Sequence, residues 1–228
     1  MIKMPLISVI IPVYNEVNTI KQVLEKINSV NIDKEIIAVD DGSTDGTDKA
    51  LRDLHYDALK IIHHSSNRGK GAAVLTGLTQ AGGEYVIIQD ADLEYNPDEY
   101  RLLLDYARQN GLTAVFGSRF SGGRNARFSA QYFANKLITF LVNFLFGSSL
   151  TDAETCYKLV KTEVLQNLGL RAKKFEIEPE ITINLLKKGY PIKEAPISYM
   201  PRKQSEGKKI NWIDGLYAVI YIIMRSLR

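Results

Sequence analysis

Apolar positions along this chain fall into two rhythms. Short runs at residues 6–11, 34–40, 59–63, 85–88 and 113–119 are apolar with little alternation. Such runs suit strands, and the unbroken ones suit strands buried on both faces, as in a parallel sheet. Between them apolar residues return every three or four places. Ile20, Val23, Leu24, Ile27 and Val30 mark an amphipathic helix capped near Asn15 or Asn18, after a first strand that Pro12 ends. Further helices are predicted up to about residue 54, up to Gln80 before Gly82-Gly83, and from Pro97-Asp98 to Gln109 before Gly111. This strand–helix alternation predicts an α/β fold, a doubly wound, mostly parallel sheet with helices on both faces.

The second half is less regular. Residues 121–127 read as a loop and residues 133–150 as an apolar helix. Residues 151–158 lead into a short strand or turn. Pro179 suits the first position of a helix that ends at Gly189. Residues 190–199 form a strand candidate whose Pro191 and Pro196 place it at a sheet edge. A basic loop at 200–209 precedes a closing apolar segment at 212–225.

Composition narrows the picture. An apolar content of 45% in 228 residues supports a full core and excludes disorder. The net charge of +3 gives no general case for nucleic acid, so any basic surface is local. A single cysteine, Cys156, excludes an internal disulfide framework and a cysteine zinc cluster, and fits a reducing, cytoplasmic compartment. It reads as a small core residue. The N-terminal stretch reads as a strand rather than a signal peptide, and no segment has the apolar length of a membrane span.

Chemistry concentrates after residue 88, where the apolar run meets Gln89 and then Asp90-Ala91-Asp92. Side chains two apart on extended backbone point the same way, so Asp90 and Asp92 converge, with Glu94 close behind. Hard oxygen ligands at the carboxyl edge of a parallel sheet suit Mg2+ or Mn2+ shared with substrate phosphates. Tyr14 and Glu16 after the first strand, and Asp40 and Asp41 after the second, fall on the same edge. With the Gly69-Lys70-Gly71 turn they describe a nucleotide pocket. Asp40 points the other way and reads as structural. His55, His63 and His64 show no ligand spacing with the acids.

The motifs IPVYNE, VDDGSTDGT, NRGKGAA, DADLE and GSR, in this order, resemble the family-2 glycosyltransferases of the GT-A fold. LTDAETCYK, FEIEPEI and the GKK of EGKKI are similar to the branch acting on dolichyl and polyprenyl phosphates. The resemblance spans almost the whole chain as a single domain, 1–228. It implies a Rossmann-like nucleotide-sugar-binding half at 1–119 and an acceptor half at 120–228. Pro12, Tyr14, Glu16, Val39 and Asp41 would hold the nucleoside. Asp90, Ala91 and Asp92 would sit at the diphosphate and metal, with Glu94 where relatives often carry Gln.

The implied activity is metal-dependent, inverting transfer from a nucleoside-diphosphate sugar, GDP- or UDP-linked, to a polyprenyl phosphate. The candidate catalytic residues are Asp92, Arg119, Arg127 and Asp152. A phosphate acceptor is already an anionic nucleophile and needs cations to hold it against an anionic donor. Lys70, Arg119, Arg124, Arg127, Arg202, Lys203, Lys208 and Lys209 are available for substrate phosphates. A hydroxyl acceptor would instead need a general base, for which Asp152 or Glu154 could serve. A nucleotide-sugar-binding subunit without activity is the third reading. The stripe Phe133, Leu137, Phe140, Leu141, Phe144 and Leu145, and a second formed by Trp212, Leu216, Val219, Ile220 and Ile223, suit helices lying on the inner face of a membrane. A core or homodimer contact is the other use of the same stripes.

Overall fold

The structure, a computed structural model, describes residues 4–121, 130–202 and 212–227. Arg124, Arg127, Lys203, Lys208, Lys209 and Arg228 lie outside the described residues, and so do the side chains at 212–214. The first half runs β1 (Ile7–Val13), α1 (Ile20–Ser29), β2 (Lys34–Asp40), α2 (Thr47–Arg52), β3 (Leu59–His63), α3 (Lys70–Leu78) and β4 (Tyr85–Ile88). A 3-10 turn (Pro97–Glu99) then opens α4 (Tyr100–Gln109), followed by β5 (Ala114–Ser118). The remainder comprises α5 (Ala130–Phe146), β6 (Lys158–Lys161), α6 (Thr162–Gln166), α7 (Ile177–Lys187), β7 (Ile192–Pro196) and α8 (Trp212–Ser226).

The strands form one seven-stranded sheet in the order β3-β2-β1-β4-β6-β5-β7. Pairing is parallel except at β6, which runs antiparallel to both β4 and β5. β1 and β2 pair from Ile7↔Lys34 to Val13↔Asp40, so they end level. The carboxyl ends of β1, β2, β4 and β5 therefore share one edge, where β6 begins. Every residue of β1, β4 and β5 is buried, as unalternating apolar runs require. Fully burying each such Ile or Val is worth about 1.5–3 kcal/mol.

Several expected boundaries move. Pro12 does not end β1, which continues to Val13. The Val13 carbonyl accepts from the Asp41 amide at 2.7 Å, so Val13 bonds toward β2 and Pro12 faces the other side. There the β1–β4 ladder has already stopped at Ile10↔Ile88, so the N–H that proline lacks has no strand partner to miss. The N-cap of α1 is Thr19, not Asn15 or Asn18. Asn15 instead turns the chain at φ +49°, its side chain accepting from the Thr44 amide at 2.8 Å. Pro179 is the third residue of α7 rather than the first. Helix α5 stops at Phe146, with Gly147 at φ +65° and Asn143 bonded to both the amide and the carbonyl of Leu150.

Two cores result. The larger lies around the sheet. The smaller joins α5, α7 and α8 through Ile138, Val142, Ile183, Ala218 and Ile222. No described helix is long and apolar enough to cross a membrane.

Candidate active site

The turn after β4 is built from below. The Gln89 side chain is wholly buried, and its oxygen accepts from the hydroxyls of Tyr100 and Tyr157, each at 2.6 Å. Its amide donates to the Asp90 carbonyl at 2.9 Å, which fixes where the acidic turn begins. Leu93 then adopts φ +64°, a left-handed conformation costing about 1 kcal/mol or more for such a residue. Glu94 N–H returns to Asp92 Oδ1 at 3.2 Å.

A cavity of about 340 Å³ opens at this edge of the sheet. Ten of the expected residues line it: Pro12, Tyr14, Glu16, Asp41, Lys70, Asp90, Ala91, Asp92, Glu94 and Arg202. Val13, Asn67, Gly69, Ala73, Lys174 and Phe175 also line it, of which the sequence assigns only the Gly69 turn to the pocket. Asn67 and Gly69 belong to a motif already noticed. Lys174 arrives from a distant loop with no local signal, whereas Phe175 opens the FEIEPEI motif. Val39 does not line the cavity; it is wholly buried within β2.

Asp41 has a fuller set of internal partners than a nucleoside ligand requires. Its oxygens accept from the amides of Arg68 (3.0 Å) and Gly69 (2.7 Å) and from His64 Nδ1 at 2.6 Å. The carboxylate thus pins the turn in which Gly69 takes φ +98°, a Cβ there being only 2.4 Å from the Lys173 carbonyl oxygen. Asp40 holds Ser43 N and His63 Nδ1, a structural role as expected.

Lys70 begins α3 and reaches across the floor. Its Nζ lies 2.6 Å from Asp90 Oδ1 and 2.9 Å from Glu178 Oε1. Burial alone would lower its pKa, but the charges of Asp90 and Glu178 outweigh burial and hold it well above the usual lysine value. Glu178 in turn lies 2.6 Å from Lys158 Nζ. Burial opposes its ionisation, yet the two lysines bring its pKa below normal.

Burial, then the charges of Asp90 and Glu94, push the Asp92 carboxyl up to about 7 despite Arg202. Arg202 stands 3.3 Å from Asp92 Oδ2 and bonds both oxygens of Glu16 at 3.0 and 3.1 Å. Glu94 lines the cavity but bonds to the segment after β7. It accepts from the Tyr199 hydroxyl at 2.6 Å and the Arg202 amide at 2.7 Å.

Arg119 and Asp152 lie apart from these groups and do not line the cavity. The guanidinium grips Asp152 with a two-pronged contact of 2.7 and 2.8 Å, and Asp152 also accepts from the Arg119 amide at 3.1 Å. Asp152 is wholly buried with both oxygens engaged, which does not suit a general base. Glu154 is different. Its Oε1 is buried and has no hydrogen-bond partner among the described residues, and burial first, then Glu178 and Asp152, push its carboxyl up to about 7 against Lys158 and Arg119. Cys156 is a buried core thiol, donating to the Ile88 carbonyl at 3.4 Å.

Among the described residues, no group of three His, Cys, Asp or Glu side chains is arranged to hold a metal ion. Asp90 and Asp92 nevertheless fit one that takes its other ligands from a diphosphate and water. Both line the cavity, and the acid cluster that raises Asp92 would be relieved by a cation. Glu94 does not fit that set, because both of its oxygens are held by the chain itself.

Comparison with known proteins agrees with this geometry. The chain is 29% identical over 211 residues to the polyprenol monophosphomannose synthase of Mycolicibacterium smegmatis, covering 88% of this chain and 79% of that one. It is 28% identical over 243 aligned residues to the UDP-N-acetylglucosamine–dolichyl-phosphate N-acetylglucosaminyltransferase of Methanococcus voltae, covering 97% and 96%. Its fold is similar to that of the glucosyl-3-phosphoglycerate synthase of Mycobacterium tuberculosis in complex with UDP. That match has a TM-score of 0.76 at 18% identity and covers 97% of this chain and 80% of that one. The same enzyme in complex with Mn2+, UDP and phosphoglyceric acid matches with a TM-score of 0.74 at 19% identity, over 97% and 78%. The sequence profile named "Glycosyl transferase family 2" matches residues 8–169. The chain is a glycosyltransferase with a GT-A fold, and it belongs to glycosyl transferase family 2.

Proposed function

We propose that this enzyme transfers a sugar, with inversion, from a nucleoside-diphosphate sugar to a polyprenyl phosphate. The observation that carries the donor half is the cavity in which Asp90, Asp92 and Glu16 face Lys70 and Arg202. Asp90 and Asp92 would hold Mg2+ or Mn2+, which when bound supplies positive charge for the diphosphate as it leaves. Tyr14 and Pro12 form the wall against which the nucleoside packs. Asp41 acts mainly by fixing the Arg68-Gly69 turn that shapes the floor. Lys70, held by Glu178, pairs with Asp90 and keeps it aimed into the cavity. An acceptor phosphate oxygen forms the new bond to the anomeric carbon while the bond to the diphosphate breaks, so no base has to take a proton. The bidentate burial of Asp152 supports that reading, since it leaves Asp152 as the counter-ion of Arg119.

The acceptor half rests on the face of α5 and α8. Phe133, Phe140 and Phe144 of α5 are 61%, 61% and 75% exposed, and Leu216 and Ile220 of α8 are 50% and 44% exposed. The relatives named above for polyprenol and dolichyl phosphates point to the same acceptor class. We place the protein at the inner face of the membrane, held peripherally by this surface.

Glu154 supports a second reading. A carboxyl near 7 suits a general base, and a hydroxyl acceptor would need one. The test is transfer of labelled sugar from UDP- and GDP-sugars, with Mn2+ or with EDTA, to undecaprenyl phosphate and to soluble hydroxyl acceptors. Metal-dependent labelling of the lipid phosphate is expected, with Glu154→Gln still active. Labelling confined to a hydroxyl acceptor and lost in Glu154→Gln would replace the first reading with the second.

A further inference from the structure

The segment after β7 is stitched across the edge of the sheet. Ile197 N–H donates to the Ser118 carbonyl at 3.0 Å, and Ser198 N–H to Glu99 at 2.7 Å. Met200 N–H donates to the Glu94 backbone carbonyl at 2.9 Å. The Tyr199 ring lies 5.1 Å from the Arg119 guanidinium and 5.3 Å from the Tyr95 ring, while its hydroxyl reaches Glu94 Oε2. The other carboxylate oxygen, Oε1, takes the Arg202 amide. The next group along is the Arg202 guanidinium, placed between Glu16 and Asp92.

These contacts put Glu94 at the meeting point of two chain segments. It follows the Asp90-Ala91-Asp92 turn, where a third metal-binding acid would stand. Yet each of its oxygens takes a short hydrogen bond from residues 199–202, and only 8% of the residue is exposed. A divalent ion at Glu94 would have to displace those donors from a buried group. Hydrogen bonds to a charged acceptor are among the stronger ones, and breaking them inside a protein is unfavourable.

We propose that Glu94 is a positioning residue rather than a metal ligand: it seats Arg202, through the arginine's own backbone, between Glu16 and Asp92. The cation facing the donor cavity is thereby set by the same turn that carries Asp90 and Asp92. This rests on the donor-site reading above only for the part played by Mn2+, and the link from Glu94 to Arg202 stands without it.

Hydrogen exchange on the ligand-free protein tests the link. In Glu94→Ala the Arg202 amide should lose protection by about tenfold, the scale of one charge-assisted hydrogen bond. The Met200 amide, bonded to the Glu94 backbone, should change little and serves as the internal control. Tyr199→Phe, which keeps the fold's aromatic contacts, should loosen Arg202 to a smaller extent. Unchanged Arg202 exchange in Glu94→Ala would overturn the proposal.

Calorimetric titration of Mn2+ in the presence of UDP or GDP tests the other half. Glu94→Ala should bind Mn2+ within about threefold of the wild type, and Asp92→Asn about tenfold or more weakly, as loss of a carboxylate ligand implies. Weakening in Glu94→Ala that equals that of Asp92→Asn, with Tyr199→Phe unaffected, would make Glu94 a ligand and overturn the proposal. A wild type that binds no nucleotide with Mn2+ would sink the donor-site reading instead, and the exchange result would still decide whether Glu94 seats Arg202.

Discussion

At Asp92 a carboxylate is asked to be both half-buried and charged. Its value of about 7 means that the ligand-free site carries a proton below neutrality. Metal ligands must be deprotonated, so Mn2+ binding should release that proton and weaken as pH falls below 7, approaching tenfold per unit. Titrations in buffers of different ionisation enthalpy would count the proton, and Asp92→Asn should abolish the release. Glu154 makes a related prediction for stability. Its folded value of about 7 lies above the ordinary 4.5, so the folded state binds the proton more tightly. Stability from this group is present below 4.5 and is lost as pH rises to 7, by on the order of 2–3 kcal/mol. Denaturant titrations of Glu154→Gln should therefore show a flatter decline between pH 5 and 7 than the wild type. At this scale, Asp90, Asp92, Tyr14 and Glu16 could be read from sequence because each stands within four residues of the end of an apolar run. The pairs Lys70–Glu178 and Arg119–Asp152 could not, since their members meet only through the tertiary fold.

Helix α3 shows how tightly an element is seated. A Cβ at Gly71 would fall 2.3 Å from the Ala172 carbonyl oxygen and 2.9 Å from the Lys173 carbonyl carbon. Those are backbone atoms, so they cannot swing aside. Gly71→Ala gains about 1 kcal/mol of helix propensity, but overpacking of this kind costs about 1–3 kcal/mol. The Ala72 N–H bond to Lys173 at 3.0 Å would also be strained. A net loss of about 1–2 kcal/mol in urea denaturation is expected, together with weaker nucleotide binding, because Lys174 and Phe175 beside it line the cavity. Unchanged stability would show that residues 172–175 yield freely. Long periodic elements such as α1 and α4, and apolar runs such as β2, were legible from pattern alone. Helix α6 was not, having five residues and no room for a period. Neither was the direction of β6, because four residues carry no sign of which way their neighbours run.

For the whole molecule, the exposed apolar face of α5 and α8 is the largest conflict with an aqueous surround. Phe144 of α5 is 75% exposed and Tyr217 of α8 57% exposed. Flotation with anionic liposomes should carry the protein upward at low salt and less at high salt, since Lys and Arg contribute to such binding. Phe140→Ser with Phe144→Ser should leave it at the bottom of the gradient. Wild-type protein that sediments as a dimer and ignores liposomes would assign the same face to self-association. The mostly parallel sheet was legible from the strand–helix alternation, whereas its strand order depends on β6 entering between β4 and β5. That insertion has a consequence for how the chain is made. β5 pairs only with β6 and β7, both of which are synthesised after it. When residue 118 leaves the ribosome, the strand's partners do not yet exist, and β4 also has one edge open. Translation at roughly 5–20 residues per second leaves these apolar edges unpaired for a few seconds. For that interval β5 is a sticky nascent strand, which the ribosome surface or a holding chaperone would have to shelter.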